Sequence, residues 1–139
     1  MYVESFLICD AARVDEWGRI DVRGQYHALS APGFPAKHDL VLLLVLEWDR
    51  GDHGRYDFTV ELYRPDGETT SFAVRGGTEV ARVPEDRPRA RTRLVQPMEE
   101  VVFETPGEYR FRLKVKGRTF EGPGLFLLEG EPAGPDAPE

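Results

Sequence analysis

Apolar and polar residues alternate along much of this chain, and the clearest case lies on both sides of a Pro-Gly turn at residues 106–107. After the turn, apolar Tyr109, Phe111, Leu113 and Val115 alternate with basic Arg110, Arg112, Lys114 and Lys116. A period of two places one face of a strand on a core and the other face in water. The stretch therefore predicts a β-hairpin with one buried face.

The same period recurs between turn signals, and it predicts strands at residues 3–11, 19–29, 40–48, 55–64, 69–75, 92–104, 108–116 and 124–129. No segment of ten or more residues shows the period of 3.6 that is typical of a helix. About seven to nine short strands with turns every 8–12 residues indicate an all-β, antiparallel β-sandwich. An immunoglobulin-like Greek key is the first choice of topology and a jelly roll the alternative.

Residues 40–46 are apolar at every position, which departs from the alternation elsewhere. A strand of this kind is covered on both faces, either as a central strand of the domain or at an interface between subunits.

Length and composition indicate one domain over residues 1–130, followed by a flexible Pro-, Gly- and acid-containing tail at residues 131–139. The net charge of −7 opposes non-specific attraction to nucleic acid and to anionic membranes. Cys9 is the only cysteine, and neither a secretory signal nor an apolar stretch of membrane-spanning length is evident. We expect a cytoplasmic protein.

Arginine supplies 15 of the 18 basic residues, asparagine is absent, and glutamine occurs only twice. Few thermolabile residues and many ion-pairing ones are typical of proteins that work at high temperature. A GC-rich genome is the alternative explanation, because its codons favour arginine over lysine and asparagine.

Several short motifs carry a resemblance to a known family. They are residues 4–15 (ESFLICDAARVD), Gly18-Arg19-Ile20, Gly24-Gln25-Tyr26, Phe34-Pro35, the turn at residues 65–67 and residues 106–109. In these motifs the chain resembles a family of small bacterial proteins that is known only as a domain of unknown function. The resemblance implies an all-β domain and supplies no reaction, ligand or site residue.

Aromatic residues form the first candidate site. Trp17, Trp48, Tyr26 and Tyr63 could together form a platform for a sugar, and Trp17, in a turn, is the one expected to be exposed. The alternative is that these rings pack at sheet ends or in an interface.

Arginines form the second candidate site. Arg87, Arg89, Arg91 and Arg93 are spaced by two, so an extended backbone would project all four to one side. Such a stripe could hold phosphate groups or an acidic partner. The alternative is an edge in which acidic neighbours pair with the arginines and discourage aggregation.

The residues suggest no catalytic, cofactor or metal site. Cys9 lies in an apolar strand, no serine lies in a nucleophile elbow, and the histidine-containing loops at residues 38–39 and 49–53 flank the strand at 40–48 from opposite ends. We therefore expect a non-enzymatic binding or scaffold module without a cofactor, acting as a homo-oligomer or on a protein partner. Sugar binding through exposed aromatics and phosphate or nucleic-acid binding through the arginines are the alternatives, and nucleic acid is disfavoured by the charge.

Overall fold

The computed structural model describes residues 1–130, and this part of the chain contains nine β-strands and no helix. The strands are β1 (Tyr2–Val14), β2 (Ile20–Gln25), β3 (Ala28–Ala31), β4 (Ala36–Glu47), β5 (Gly54–Tyr63), β6 (Thr69–Val80), β7 (Arg91–Phe103), β8 (Gly107–Val115) and β9 (Arg118–Glu129). No helix that could cross a membrane is therefore found in residues 1–130. The tail predicted at residues 131–139 lies outside the described residues.

The strands form two sheets that pack against each other. The first has four strands in the order β2-β1-β4-β7, and the second has five in the order β3-β9-β8-β5-β6 and is curled like half a barrel. Neighbouring strands are antiparallel except β3 and β9, which are parallel. The predicted all-β fold of two packed sheets is confirmed, with one parallel pair that the alternation did not reveal.

Most predicted strands have shifted bounds in the structure: β1 continues to Val14 and β4 begins at Ala36, and three predicted strands differ by more than this. The strand predicted at residues 19–29 is divided, because β2 pairs with β1 whereas β3 pairs with β9 in the other sheet. Tyr26 lies at the crossing and is buried in the core. Strand β6 continues through Gly76 and Gly77, and β9 begins at Arg118, because backbone pairing extends over residues without apolar alternation.

The core lies between the two sheets and contains the side chains that alternate in the sequence. Leu42 and Leu44 of β4 belong to it, together with Val60 of β5 and Phe111 and Leu113 of β8, and each is at most 1% exposed. Fully burying a side chain of this size contributes about 1.5–3 kcal/mol. The β4 residues that alternate with Leu42 and Leu44 must point to the opposite, outer face of the four-stranded sheet.

That outer face is also covered. Leu43 and Val45 are each 1% exposed although they lie outside the core between the sheets. Their neighbours across β1 and β7 include Leu7 and Val95, so the apolar surface extends over three strands. The sequence allowed either a subunit interface or a cover from the same chain, and the structure contains a cover from the same chain.

The cover is the β1–β2 hairpin, which folds back over the outer face. Strand β1 pairs with β4 only as far as Cys9 and then pairs with β2 alone. A straight continuation would carry the hairpin tip roughly 30 Å from Arg93, which pairs with Val45 on β7. Instead, a β-carbon placed on Gly18 at the tip would lie 3.0 Å from Cζ of Arg93. We call this segment, residues 10–25, the cover hairpin.

Candidate functional site

The tip of the cover hairpin is a turn held by the carboxylate of Asp15. Its Oδ1 accepts hydrogen bonds from the amides of Trp17 (2.8 Å) and Arg19 (2.9 Å), and its Oδ2 accepts one from Nε of Arg19 (2.8 Å). The backbone of Asp15 also bonds Arg19 and Gly18. The amide and then the guanidinium of Arg19 hold the pKa of Asp15 below its ordinary value. The turn is therefore fixed while Asp15 is ionised.

Trp17 projects from this fixed turn and is 74% exposed, the largest exposure among the described large hydrophobic residues. The sequence predicted an exposed position in a turn, and the structure places the ring there. Because the backbone beneath the ring is already fixed, burying the ring would cost little further backbone entropy.

Arg93 supports the tip from below. Gly18 has φ of 80°, a conformation that favours glycine, and its missing side chain leaves room for the guanidinium. Arg93 is exposed and makes no ion pair within residues 1–130. The sequence reasoning missed this contact, since only the folding back of the hairpin brings residues 18 and 93 together.

The four candidate arginines occupy different environments. Arg87 and Arg89 lie in the loop before β7, so only Arg91 and Arg93 share a face of a strand. Arg91 donates to Glu4 (2.7 Å) and Glu47 (2.8 Å), and the bond to Glu4 is the main reason that its pKa is raised. Arg89 approaches Asp49 at 3.7 Å. Two of the four are therefore engaged with carboxylates.

The basic residues of β8 and the turn after it also have acidic partners. Arg110, Arg112, Lys114 and Lys116 lie within 2.8–3.1 Å of Glu108, Glu121, Glu61 and Asp52, respectively. These ion pairs neutralise the positive charges of the outward-facing basic side chains at residues 110–116. This surface is consequently a mixed one rather than a positive patch.

The other candidate aromatic residues are separate from Trp17. Trp48 is 1% exposed, stacks on Tyr56 and donates its Nε1 hydrogen to Thr92, and Tyr26 lies in the core. Tyr63 is on the five-stranded sheet, where the guanidinium of Arg112 lies 4.2 Å from its ring centre. The structure therefore does not bring these rings together into a platform.

The reactive side chains are also separated. Cys9 is buried on the outer face of its sheet, where burial raises the pKa of its thiol, whereas His38 faces inward beside Phe103. Burial lowers the pKa of His38. In the described part of the chain, no group of three or more His, Cys, Asp or Glu side chains is placed to hold a metal ion.

Comparison with known proteins identifies a family. The model of a family of unknown function (DUF6941) matches residues 4–122, which is most of the chain, and the chain therefore belongs to this family. A comparison with curated proteins found no match. The match extends over both sheets and includes the cover hairpin, its tip and Arg93.

Proposed function

We propose that this member of the family is a non-enzymatic binding module that contacts a protein partner through the tip of its cover hairpin. The exposed ring of Trp17 on its fixed turn carries the proposal. Tryptophan is among the residues that contribute most to protein–protein affinity when it enters a pocket of a partner. The charged residues beside it, Glu16 and Arg19, would form the polar rim of such an interface.

A protein partner suits this surface better than a sugar or a phosphate. Stacking on a sugar requires a flat platform with polar groups at its edge, and the other candidate rings lie elsewhere in the molecule. Binding of several phosphates requires uncommitted cations, whereas Arg91 already contacts two carboxylates. Both ligand classes remain as alternatives that the experiment below tests.

The proposal is tested by affinity capture from cells that produce the protein, with three baits analysed by quantitative mass spectrometry. The baits are the unaltered chain, Trp17→Ser and Tyr2→Ser. Tyr2 is the matched control, because it is also aromatic and 62% exposed but lies outside the hairpin. We expect a specific set of proteins to be lost with Trp17→Ser and retained with Tyr2→Ser.

Direct binding of the captured protein must then fall at least about 30-fold for Trp17→Ser, since an interface anchor contributes 2 kcal/mol or more. Equal capture by all three baits would contradict the proposal. Quenching of tryptophan fluorescence by a sugar panel, or salt-sensitive retention on heparin, would instead support one of the alternative ligands.

We also propose that the topology is the immunoglobulin-like Greek key. Two observations support this assignment. Strands β1-β4-β7 face strands β9-β8-β5-β6, and β3 runs parallel to β9, as the split first strand of that fold does. In addition, the hydroxyl of buried Tyr109 donates to the carbonyl of Thr105 at 2.8 Å, which resembles the tyrosine corner at the start of the sixth strand of such folds.

Two further proposals concern the setting in which the protein works. We propose a cytoplasmic location, supported by the single cysteine, and a high working temperature, supported by the arginine-rich composition. The second is tested by thermal unfolding. A melting temperature near that of ordinary mesophilic domains, about 50 °C, would contradict it.

A further inference from the structure

A groove with an apolar lining lies on the outer face of the four-stranded sheet, beside the base of the cover hairpin. Val41 and Pro97 oppose each other there on β4 and β7; Val41 is half-buried and Pro97 is exposed. Together with Leu40 and Met98 they line a groove of about 350 Å³, which three carboxylates flank. Cavities of about 300–1,000 Å³ accommodate the rings of bound molecules. The groove is therefore large enough for an aromatic side chain.

The three carboxylates are those of Asp10, Asp39 and Glu99, and none of them makes an ion pair within residues 1–130. Asp39 accepts a hydrogen bond from the amide of Glu100 (2.9 Å), which fixes the side chain of Asp39 beside the groove. Carboxylates gathered without a cation repel one another, so this corner of the sheet attracts a cation from outside.

The tip of the cover hairpin carries the complementary groups. Trp17 is 74% exposed, and the guanidinium of Arg93 lies against the next residue, Gly18. A β-carbon on Gly18 would lie 3.0 Å from Cζ and Nη2 of Arg93 and 3.3 Å from Nη1, so the face of the guanidinium meets the tip. Its N–H groups then radiate sideways, and none of them is used within the described residues 1–130. An exposed ring and an uncommitted cation thus stand side by side.

We propose that a second copy of this chain occupies the groove, with Trp17 of each copy inserted between the carboxylates of the other. The inference rests on the proposed function, because it uses the same anchor, and it names the partner as a second copy. The indole would cover the apolar lining, as an anchor residue does in a pocket. The guanidinium of Arg93 would pair with the flanking carboxylates, for which its planar donors are suited.

The positions of the tip and the groove permit a symmetric dimer. Strand β7 is an edge of its sheet, and the tip lies over it, so Trp17 stands at the rim of the sheet. Arg93 and Pro97 are four residues apart on β7, which is about 13 Å. A two-fold axis perpendicular to the sheet, beside β7 and midway between these residues, places the tip of each copy over the groove of the other. Both contacts fit within a patch of about 800 Å² per partner, the size of a standard interface.

The contact does not require the two β7 edges to pair as strands. Pro97 lacks an amide hydrogen, and the pairing of β7 with β4 shifts opposite His38 and Leu40. A proline and a bulge both discourage backbone pairing at an edge. The proposed dimer is therefore held by side chains, and the anchor and the charges can be tested one at a time.

Self-association is measured by sedimentation equilibrium with light scattering. We expect a dimer for the unaltered chain and a dissociation constant at least about 100-fold larger for Trp17→Ser, because each dimer loses two anchors. Tyr2→Ser is the matched control, since Tyr2 is 62% exposed but lies outside the hairpin, and it should leave the dimer intact. A dimer that ignores Trp17→Ser would overturn the inference.

Charge reversal tests the second part of the contact. Arg93→Glu and Glu99→Arg should each weaken the dimer at least about tenfold, because each change opposes like charges twice. The double variant Arg93→Glu/Glu99→Arg should associate more tightly than either single variant. Arg75→Glu is the control, because Arg75 is exposed on the other sheet and makes no ion pair within residues 1–130. Equal weakening by Arg75→Glu would show that only the net charge matters and would contradict the pairing.

Cross-linking between copies tests the geometry. Glu16→Cys, at the tip, is mixed with Glu99→Cys, at the groove, and treated with a short bismaleimide; Cys9 is buried and should not react. We expect a linked dimer in the mixture and none in either variant alone. A mixture of Glu16→Cys with Thr119→Cys, on the other sheet, should give none. Equal yields from both mixtures would exclude this arrangement.

The inference and the proposed function can fail separately. If the unaltered chain is monomeric at every concentration, the second copy is excluded as the partner, whereas a captured protein that is lost with Trp17→Ser would still support binding by the tip. If the dimer forms through Trp17, the untagged chain should be among the captured proteins. A dimer that survives Trp17→Ser, together with unchanged capture, would overturn both.

Discussion

Replacing Leu43 by alanine tests the inference that the cover hairpin seals the outer face of the four-stranded sheet. Leu43 lies on that outer face and is 1% exposed. Truncating a leucine on an open sheet face would lower the free energy of unfolding by no more than about 1 kcal/mol. Under the hairpin, the change leaves a cavity that the surroundings fill only in part, and truncations of this kind cost about 2–5 kcal/mol.

We therefore expect Leu43→Ala to lower the free energy of unfolding by about 3 kcal/mol, close to the loss for Leu42→Ala. Leu42 is the matched control because it is the adjacent residue of β4 and points into the core. The melting temperature should fall by roughly 10 °C in each case. Urea unfolding followed by tryptophan fluorescence measures both variants with one signal.

The decisive comparison is between the two variants rather than with an absolute value. If Leu42→Ala loses about 3 kcal/mol and Leu43→Ala loses less than about 1 kcal/mol, the hairpin does not shield the outer face in solution. Equal losses with unchanged dependence on urea would show that both faces of β4 are interior.

Three further outcomes are expected. The thiol of Cys9 should resist a water-soluble disulfide reagent in the native protein, and Gly18→Ala, which strains the hairpin tip, should speed the reaction. Tyr109→Phe should lower the free energy of unfolding by about 1–2 kcal/mol, because the hydroxyl accepts a hydrogen bond from the amide of Thr105 and donates one to its carbonyl, and thermal unfolding measures the loss. Burial acts to raise the pKa of Asp52, but the hydrogen bond from Lys116 and an amide hydrogen bond together hold the pKa below its value in the unfolded chain. Ionised Asp52 therefore adds to the free energy of unfolding above about pH 4, and this stabilisation is lost as the pH falls further. Acid titrations of the unaltered chain and of Asp52→Asn should diverge above that pH and converge below it; parallel curves would contradict this.

The sequence predicts most of the fold because the side-chain period of a strand is a local property. Residues 55–64 and 108–116 alternate cleanly, and they form β5 and β8 with nearly the predicted bounds. Where glycine replaces apolar side chains, as at Gly76 and Gly77, the alternation ends although the strand continues. Backbone pairing with β5 keeps these residues in the strand, and the sequence of a single strand does not reveal which strand it pairs with.

The candidate site was predictable only in part, for a related reason. Turn chemistry at residues 15–18 indicated that Trp17 would be exposed, which the structure confirms. The contact between Gly18 and Arg93 depends on a bend of the chain after Cys9. That bend reverses the hairpin over a face of its own sheet, and no spacing of residue types encodes the direction of the reversal.

The bend in β1 has a consequence for anyone who shortens this protein. Strand β1 belongs to the covered sheet in its first half and to the cover hairpin in its second half. No loop joins the two parts, so the hairpin cannot diffuse away from the sheet face that it covers. Deleting residues 11–25 would expose the apolar outer face of the four-stranded sheet and would not yield a smaller stable domain. Such a fragment should precipitate on expression, whereas trimming the turn at its far end should leave a soluble product.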